Sequence, residues 1–110
     1  MRSPPEEGAH RKDGVQLQVA RKLRRGNWPV EDELDLHGLT RAEAAPMLDQ
    51  FLRYCTGRRM KCVRIIHGKG QGIIRNLAQN LLAERREVMA FCEAPPDQGG
   101  AGAMLVLLRS

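Results

Sequence analysis

Cysteine is scarce in this chain, and its arrangement excludes more than it suggests. Cys55, Cys62 and Cys92 are odd in number and none falls in a Cys-x-x-Cys spacing, which argues against a disulfide framework or a cysteine-bound zinc ion. Each lies inside an apolar stretch, so all three are expected as small buried hydrophobes. No run of about eighteen apolar residues is present, so no membrane-spanning helix is expected. The polar N-terminus is unlike a signal peptide, and the expectation is a cytoplasmic protein with no membrane partner. Acidic residues are in the minority, thirteen against eighteen Lys and Arg, for a net charge of +5 and a pI near 9.6. A basic balance favours a polyanionic partner, because neutralising phosphates releases counterions. A merely soluble basic protein would account for that charge equally well. Most of the cations are Arg, in clusters such as Arg21 to Arg25 and Arg58-Arg59, and Arg grips phosphate oxygens through two parallel donors.

Two regions follow from composition. Residues 1–33 form a basic, partly disordered N-terminal extension. Met1 to Gly14 is rich in charge, Pro and Gly and reads as a tail. Val15, Val19 and Leu23 fall at helical spacing, whereas Val15, Leu17 and Val19 alternate as a strand would; a short amphipathic helix is favoured. Trp28-Pro29 reads as a packing anchor. Residues 34–110 carry regular patterns. Glu33 to His37 alternates as a strand and ends in His-Gly. Thr40 and Glu43 match a capping box, opening a helix to about Thr56 with Ala44, Met47, Leu48, Phe51, Leu52 and Cys55 inward. Pro46 removes one intrahelical hydrogen bond and is expected to bend that helix near Ala42. Lys61 to His67 is a second strand, Ile73 to Arg85 a second helix with Ile74, Leu77, Leu81 and Leu82 inward, and Val88 to Glu93 and Ala103 to Leu108 are further strands.

The order β-α-β-α-β-β predicts a two-layer α/β sandwich on a mixed four-stranded sheet. The first three strands run one way, through right-handed crossovers, and the last runs against them. The turn holding His37 and Gly38, the loop His67-Gly68-Lys69-Gly70-Gln71-Gly72, and the loop with Gly99, Gly100 and Gly102 then all leave one sheet edge, where open α/β sheets place their ligands. Glycine there lets backbone amides approach an anion closely, and the start of the second helix, just after Gly72, adds partial positive charge. His37 and His67 are candidates for general base and acid, or for phosphate donors. Asp35, two residues before His37, points to the same face, where it would orient the ring, help a metal, or instead cap a neighbouring amide or pair with an Arg. The glycine loop is not a Walker loop, since it lacks that spacing and the Lys-Ser/Thr pair.

At these motifs the chain resembles the Smr (small MutS-related) domain, stand-alone bacterial type. The matching segments are Leu34-Asp35-Leu36-His37-Gly38 with Thr40 and Glu43-Ala44, then Ile65-Ile66-His67-Gly68-Lys69-Gly70, then Gly99-Gly100-Ala101-Gly102-Ala103. Where many relatives have Gly-x-Gly-x-Leu-Arg, this chain has Ile74 before Arg75. The resemblance implies a fold like the C-terminal domain of bacterial translation initiation factor three, and an endonuclease that nicks DNA or cleaves RNA. For stand-alone bacterial members it implies messenger RNA cut at stalled or collided ribosomes. It implies that Asp35 and His37 serve cleavage and that the loop His67 to Gly70 serves binding and activity. Taken with the topology above, Asp35, His37 and His67 are the catalytic candidates, and Gly38, Gly68, Lys69, Gly70, Gly72, Arg75, Gly99, Gly100 and Gly102 are the candidates for holding nucleic acid. RNA is the favoured substrate, with no cofactor and no metal ligand set, since its 2′-hydroxyl can attack. For DNA, water must attack, and Asp35 with a divalent cation (magnesium or manganese) enters the reading. Arg21 to Arg25 would steer the protein to the ribosome. The reading from a different class is a non-catalytic module that binds nucleic acid or the ribosome.

Overall fold

A computed structural model of the protein describes residues 9–109. In chain order its elements are β1 (His10–Arg11), α1 (Leu17–Arg24), β2 (Glu33–Asp35), α2 (Arg41–Gly57), β3 (Cys62–Ile66), α3 (Ile73–Glu84), β4 (Val88–Glu93) and β5 (Ala103–Leu108). They form one sheet in the order β1-β4-β5-β3-β2. β2 and β3 are parallel, while β5 is antiparallel to both β3 and β4. β2, β3 and β4 therefore share one direction, as two crossover helices require. Their carboxyl ends meet at one edge.

β5 is the spine of the sheet. Its six residues are all buried, and they alternate between two cores, as strand geometry dictates. Met104, Val106 and Leu108 face a large core under α2 and α3, together with Leu48, Leu52, Val63, Ile65, Leu82 and Phe91. Ala103, Leu105 and Leu107 face a second core, built from Leu23 and the small side chains Cys62, Ala90, Cys92 and Ala94, with Val19 and Trp28 packed against it. A strand buried on both faces reads as a continuous apolar run, which is why this segment is so plain in the sequence.

The expected four-stranded sheet has five strands. The additional one, β1, pairs antiparallel with the outer edge of β4, His10 opposite Phe91 and Arg11 opposite Ala90. An uncovered edge of β4 would otherwise present unpaired backbone groups. Two residues are too few to leave a readable alternation. The expected two layers are also incomplete as a description, because α1 closes the second face with Leu23 almost wholly buried. The helix expected around Val15 to Leu23 is thus α1, and Trp28 packs as an anchor. The earlier part of the expected tail, residues 1–8, lies outside the described residues.

α2 starts as anticipated. Thr40 accepts from the Glu43 backbone, and the Glu43 carboxylate accepts from the Thr40 backbone. The helix runs through Pro46 to Gly57 without a break. Its buried face is Ala44, Leu48, Leu52 and Cys55; Met47, expected inward, is exposed, because it lies one residue off that line. The three cysteines are free and buried, and burial pushes their thiols up to about 11 for Cys55 and Cys92 and about 12 for Cys62. Among the described residues no helix is long and apolar enough to cross a membrane.

Candidate functional site

The end of β2 delivers a carboxylate and an imidazole to one point. The buried Leu36 donates its N–H to the Ile66 carbonyl at 2.7 Å and thereby ties the end of β2 to the end of β3. Asp35 and His37 flank it on the exposed side. One Asp35 carboxylate oxygen, Oδ1, accepts twice from His37: from the backbone N–H at 3.0 Å and from ring Nδ1 at 2.5 Å. These two bonds hold the Asp35 carboxyl below the usual carboxylate range, the ring contact being the larger cause. The carboxylate is charged, so Nδ1 is the donor and Nε2 is the nitrogen left to exchange a proton. Gly38, at φ +77°, then turns the chain toward the Thr40 cap, a conformation costly for other residues.

The second His-Gly pair is built differently. His67 is buried, and its backbone N–H and that of Gly68 both donate to the Gly102 carbonyl, at 3.0 and 2.9 Å. Its Nδ1 lies 2.8 Å from the Gly68 carbonyl. A carbonyl only accepts, so Nδ1 carries the proton. Burial lowers the His67 pKa, and the ring is therefore neutral near pH 7. Gly68 has φ +87°, and a Cβ placed on it would lie 3.2 Å from the His37 Cβ. The two His-Gly pairs are in contact through that glycine.

Beyond Gly68 the loop opens into α3. The helix begins at Gly72 in the left-handed region, with no side-chain cap, so its first-turn amides lack the partners that Thr40 and Glu43 supply to α2. The Arg75 guanidinium lies across Gly72, 3.4 Å from where a Cβ would stand. Between the start of α2 and this loop is a cleft of about 570 Å³. Its charged lining is Arg41, Lys69 and Arg75, with no carboxylate among the residues that line it. Free amides, helix dipole and three cations all favour an anion there.

Most of the residues singled out from sequence converge here. His37, Gly38, His67, Gly68, Lys69, Gly70, Gly72 and Arg75 line the cleft, and Asp35 stands behind His37. The third glycine loop does not. Gly99 and Gly100 lie outside the lining, because the segment after β4 folds back through two short 3-10 turns. A Cβ on Gly99 would collide with Ala103 at 2.6 Å, so that glycine permits a close chain approach. Gly102 supports the cleft from behind, through its carbonyl and its fit against Lys69, 3.3 Å from an added Cβ. Arg41 was not anticipated; its only sequence signal is its place directly after the Thr40 cap, where the first turn of a helix faces the sheet edge.

A metal ion would find few ligands. Among the described residues no three His, Cys, Asp or Glu side chains converge, so a cation at Asp35 would complete its shell from substrate phosphates and water.

Comparison with known proteins gives the family and the fold. The family model of the Smr domain matches residues 34–109. The chain belongs to the Smr domain family. Among curated relatives, the ribosome rescue factor SmrB of Vibrio parahaemolyticus is 40% identical over 105 residues, covering 94% of this chain and 60% of that protein. SmrB of Aliivibrio salmonicida is 39% identical over 97 residues, covering 88% and 55%. This chain thus spans little more than half the length of those relatives. The crystal structure of YdaL, a stand-alone small MutS-related protein from Escherichia coli, superposes with a TM-score of 0.83 at 34% identity, over 93% of this chain and 82% of that one. The Smr domain of Thermus thermophilus MutS2 gives a TM-score of 0.69 at 39% identity, over 72% and 99%. The match to YdaL is too long to be confined to residues 34–109. It takes in part of the segment that carries β1 and α1, which the MutS2 match does not require.

Proposed function

We propose that this Smr domain is an endonuclease that cleaves RNA, acting in the cytoplasm on messenger RNA at stalled or collided ribosomes. The observation that carries the reading is the Asp35–His37 pair at the mouth of a cleft whose charged lining is purely cationic. His37 Nε2 takes the proton from a ribose 2′-hydroxyl as its oxygen attacks the adjacent phosphorus; the 2′,3′-cyclic phosphate forms, the P–O5′ bond breaks, and the departing 5′-oxygen takes a proton from water. Asp35 holds the ring by Nδ1 and stabilises the imidazolium that forms, a role that fits a carboxylate kept ionised. The first-turn amides of α3, with Lys69, Arg75 and Arg41, take up the charge that develops on the phosphate oxygens. His67, neutral and with Nδ1 engaged, is poorly suited to act as an acid; it positions the Gly68 loop. The curated relatives are named ribosome rescue factors. The exposed cations of α1, Arg21, Lys22 and Arg24, together with Arg25, would supply a docking surface for ribosomal RNA.

The DNA-nicking alternative requires water as nucleophile and a divalent cation at Asp35; the binding-only alternative requires no chemistry at all. One experiment separates the three readings. Wild type and His37→Ala are incubated with defined RNA and DNA, with and without chelator, and product ends are mapped. The proposal expects chelator-resistant RNA cleavage leaving 2′,3′-cyclic phosphate ends, reduced roughly 10²–10⁴-fold in His37→Ala. A His37→Ala protein that melts like wild type and cuts at the same rate removes the proposed site.

A further inference from the structure

A second cavity, of about 660 Å³, lies on the far side of His67 and Arg75, which line both it and the cleft. Its polar lining includes Arg24 from α1, Asn76 and Gln79 from α3, and Glu93 at the end of β4. Gln79 is the anomaly. It is 5% exposed, one turn after Arg75 and Asn76 on the side of α3 that lines the cavity, and its carboxamide forms no hydrogen bond with any described residue. The amide is not sealed in the core: its polar atoms reach the solvent of the cavity, so a ligand group that enters takes the place of water there. Arg24, Arg75, Asn76 and Glu93 are likewise without a side-chain hydrogen bond or ion pair among the described residues. Two guanidiniums and a carboxylate at one cavity, none of them paired, leave a full set of donors and acceptors for a ligand.

The chemistry of that set is selective. Two carboxamides, two guanidiniums and a carboxylate are the groups that read base edges. Guanine alone among the four RNA bases presents two adjacent N–H donors to a carboxylate on one edge and an adjacent acceptor pair, O6 and N7, to a guanidinium on the other. We propose that this cavity is a guanine pocket for the nucleotide next to the scissile phosphate, with the unstacked base reaching past Arg75 while its phosphate lies in the cleft. Single-stranded RNA is recognised in this way, by splayed bases bonded along their edges. Glu93 accepts from the guanine N1 and N2 hydrogens, an Arg donates to O6 and N7, and Gln79 takes a ring or exocyclic group at the cavity floor. That the neighbouring phosphate is the scissile one rests on the endonuclease reading; the pocket itself does not.

The test uses the full chain, labelled with nitrogen-15, titrated with each of the four nucleoside 5′-monophosphates and then with a short single-stranded RNA. The expected result is that guanosine monophosphate moves the side-chain amide signals of Gln79 and Asn76, and that the other three bind at least tenfold more weakly. Gln79→Leu should lose the guanine response, as should Glu93→Gln at an exposed position that leaves folding untouched. No movement of Gln79 or Asn76 with any nucleotide, or equal movement with all four, overturns the pocket. RNA that moves the Gly68 to Gly72 amides but neither carboxamide overturns the pocket and leaves the endonuclease reading standing. A guanine response in a protein that cuts no RNA supports the pocket and sinks the endonuclease reading.

Discussion

Gly68→Ala is the substitution for which the structure makes the sharpest numerical statement. The residue sits at φ +87°, in the left-handed region, where a Cβ costs about 1–2 kcal/mol. The new methyl would also stand 3.2 Å from the His37 Cβ, inside the usual carbon–carbon contact of about 3.5–4.0 Å. His37 is 66% exposed on its outer side, so relief comes by moving the ring outward by a few tenths of an ångström. That movement acts directly on the 2.5 Å bond from Nδ1 to Asp35. Two effects are therefore expected together. Stability falls by about 1–2 kcal/mol, read as a melting temperature lower by roughly 4–8 °C for each kcal/mol in a domain of this size. RNA cleavage under native conditions falls by roughly tenfold, since a misplacement of about 1 Å costs about a hundredfold. Gly70 is the internal control: a Cβ there meets nothing within 4 Å, and its φ is not in the left-handed range. Gly70→Ala should leave the melting temperature unchanged or slightly raised. If Gly68→Ala melts like wild type, or if the Gly70 variant loses as much, the contact between the two His-Gly turns is not what positions His37.

Leu23→Ala, which empties a site 1% exposed among small neighbours, should destabilise the protein by about 2–5 kcal/mol in urea titration. His67 gives a pH signature with a definite sign. Its folded pKa lies below the ordinary 6.5 because of burial, so the unfolded chain takes up the proton first. Stability is retained above about pH 6.5 and lost as pH falls from there through the depressed folded value, levelling off beneath it. The contribution of Asp35, also depressed but from 3.8, starts to be lost only at lower pH than that of His67. Denaturation midpoints at pH 7.5 and 5.5 should therefore converge in His67→Gln relative to wild type. For RNA binding, Arg75→Ala and Lys69→Ala should each lower the slope of log affinity against log salt by about one. Arg58→Ala, whose guanidinium lies over the Tyr54 ring at the far end of α2, should leave that slope unchanged.

The parts of this molecule with strong local periodicity were readable from its sequence, and so was their arrangement. β5 is an unbroken apolar run, α2 carries its capping box, and the crossovers dictate which strand ends meet. The second core was hidden for a physical reason: beside Leu23, Leu105 and Leu107 it is made of Cys62, Ala90, Cys92, Ala94 and Ala103, small residues that give no amphipathic signal. They let α1 approach the sheet closely, but nothing in their identity announces a helix above them. β1 is too short to alternate. At the site, the His-Gly pairs located the cleft, yet the unequal states of the two rings depend on burial and on the Gly102 and Gly68 carbonyls, which sequence does not display. Gly99 and Gly100 lie away from the cleft, and at Gly99 the glycine serves a close approach to Ala103, a use that sequence does not distinguish from anion binding. Gln79 was invisible, since a polar residue facing inward looks like any other on the exposed side of a helix.

β5 is the last strand in the chain and the central one in the sheet. Its ladders join residues about forty positions apart on the β3 side, Cys62 opposite Leu107, and far closer ones on the β4 side, Phe91 opposite Val106. A chain emerging from the ribosome exit can make both crossover helices and the β2–β3 pair before residue 103 appears, but β3 and β4 have no common partner until then. The hairpin of β4 and β5 is the local step, and its insertion beside β3 is the slow, non-local one. The same step brings up the Gly102 carbonyl that orders His67 and Gly68. The strand that joins the two halves of the sheet is thus also the one whose lead-in residue, Gly102, supports the cleft.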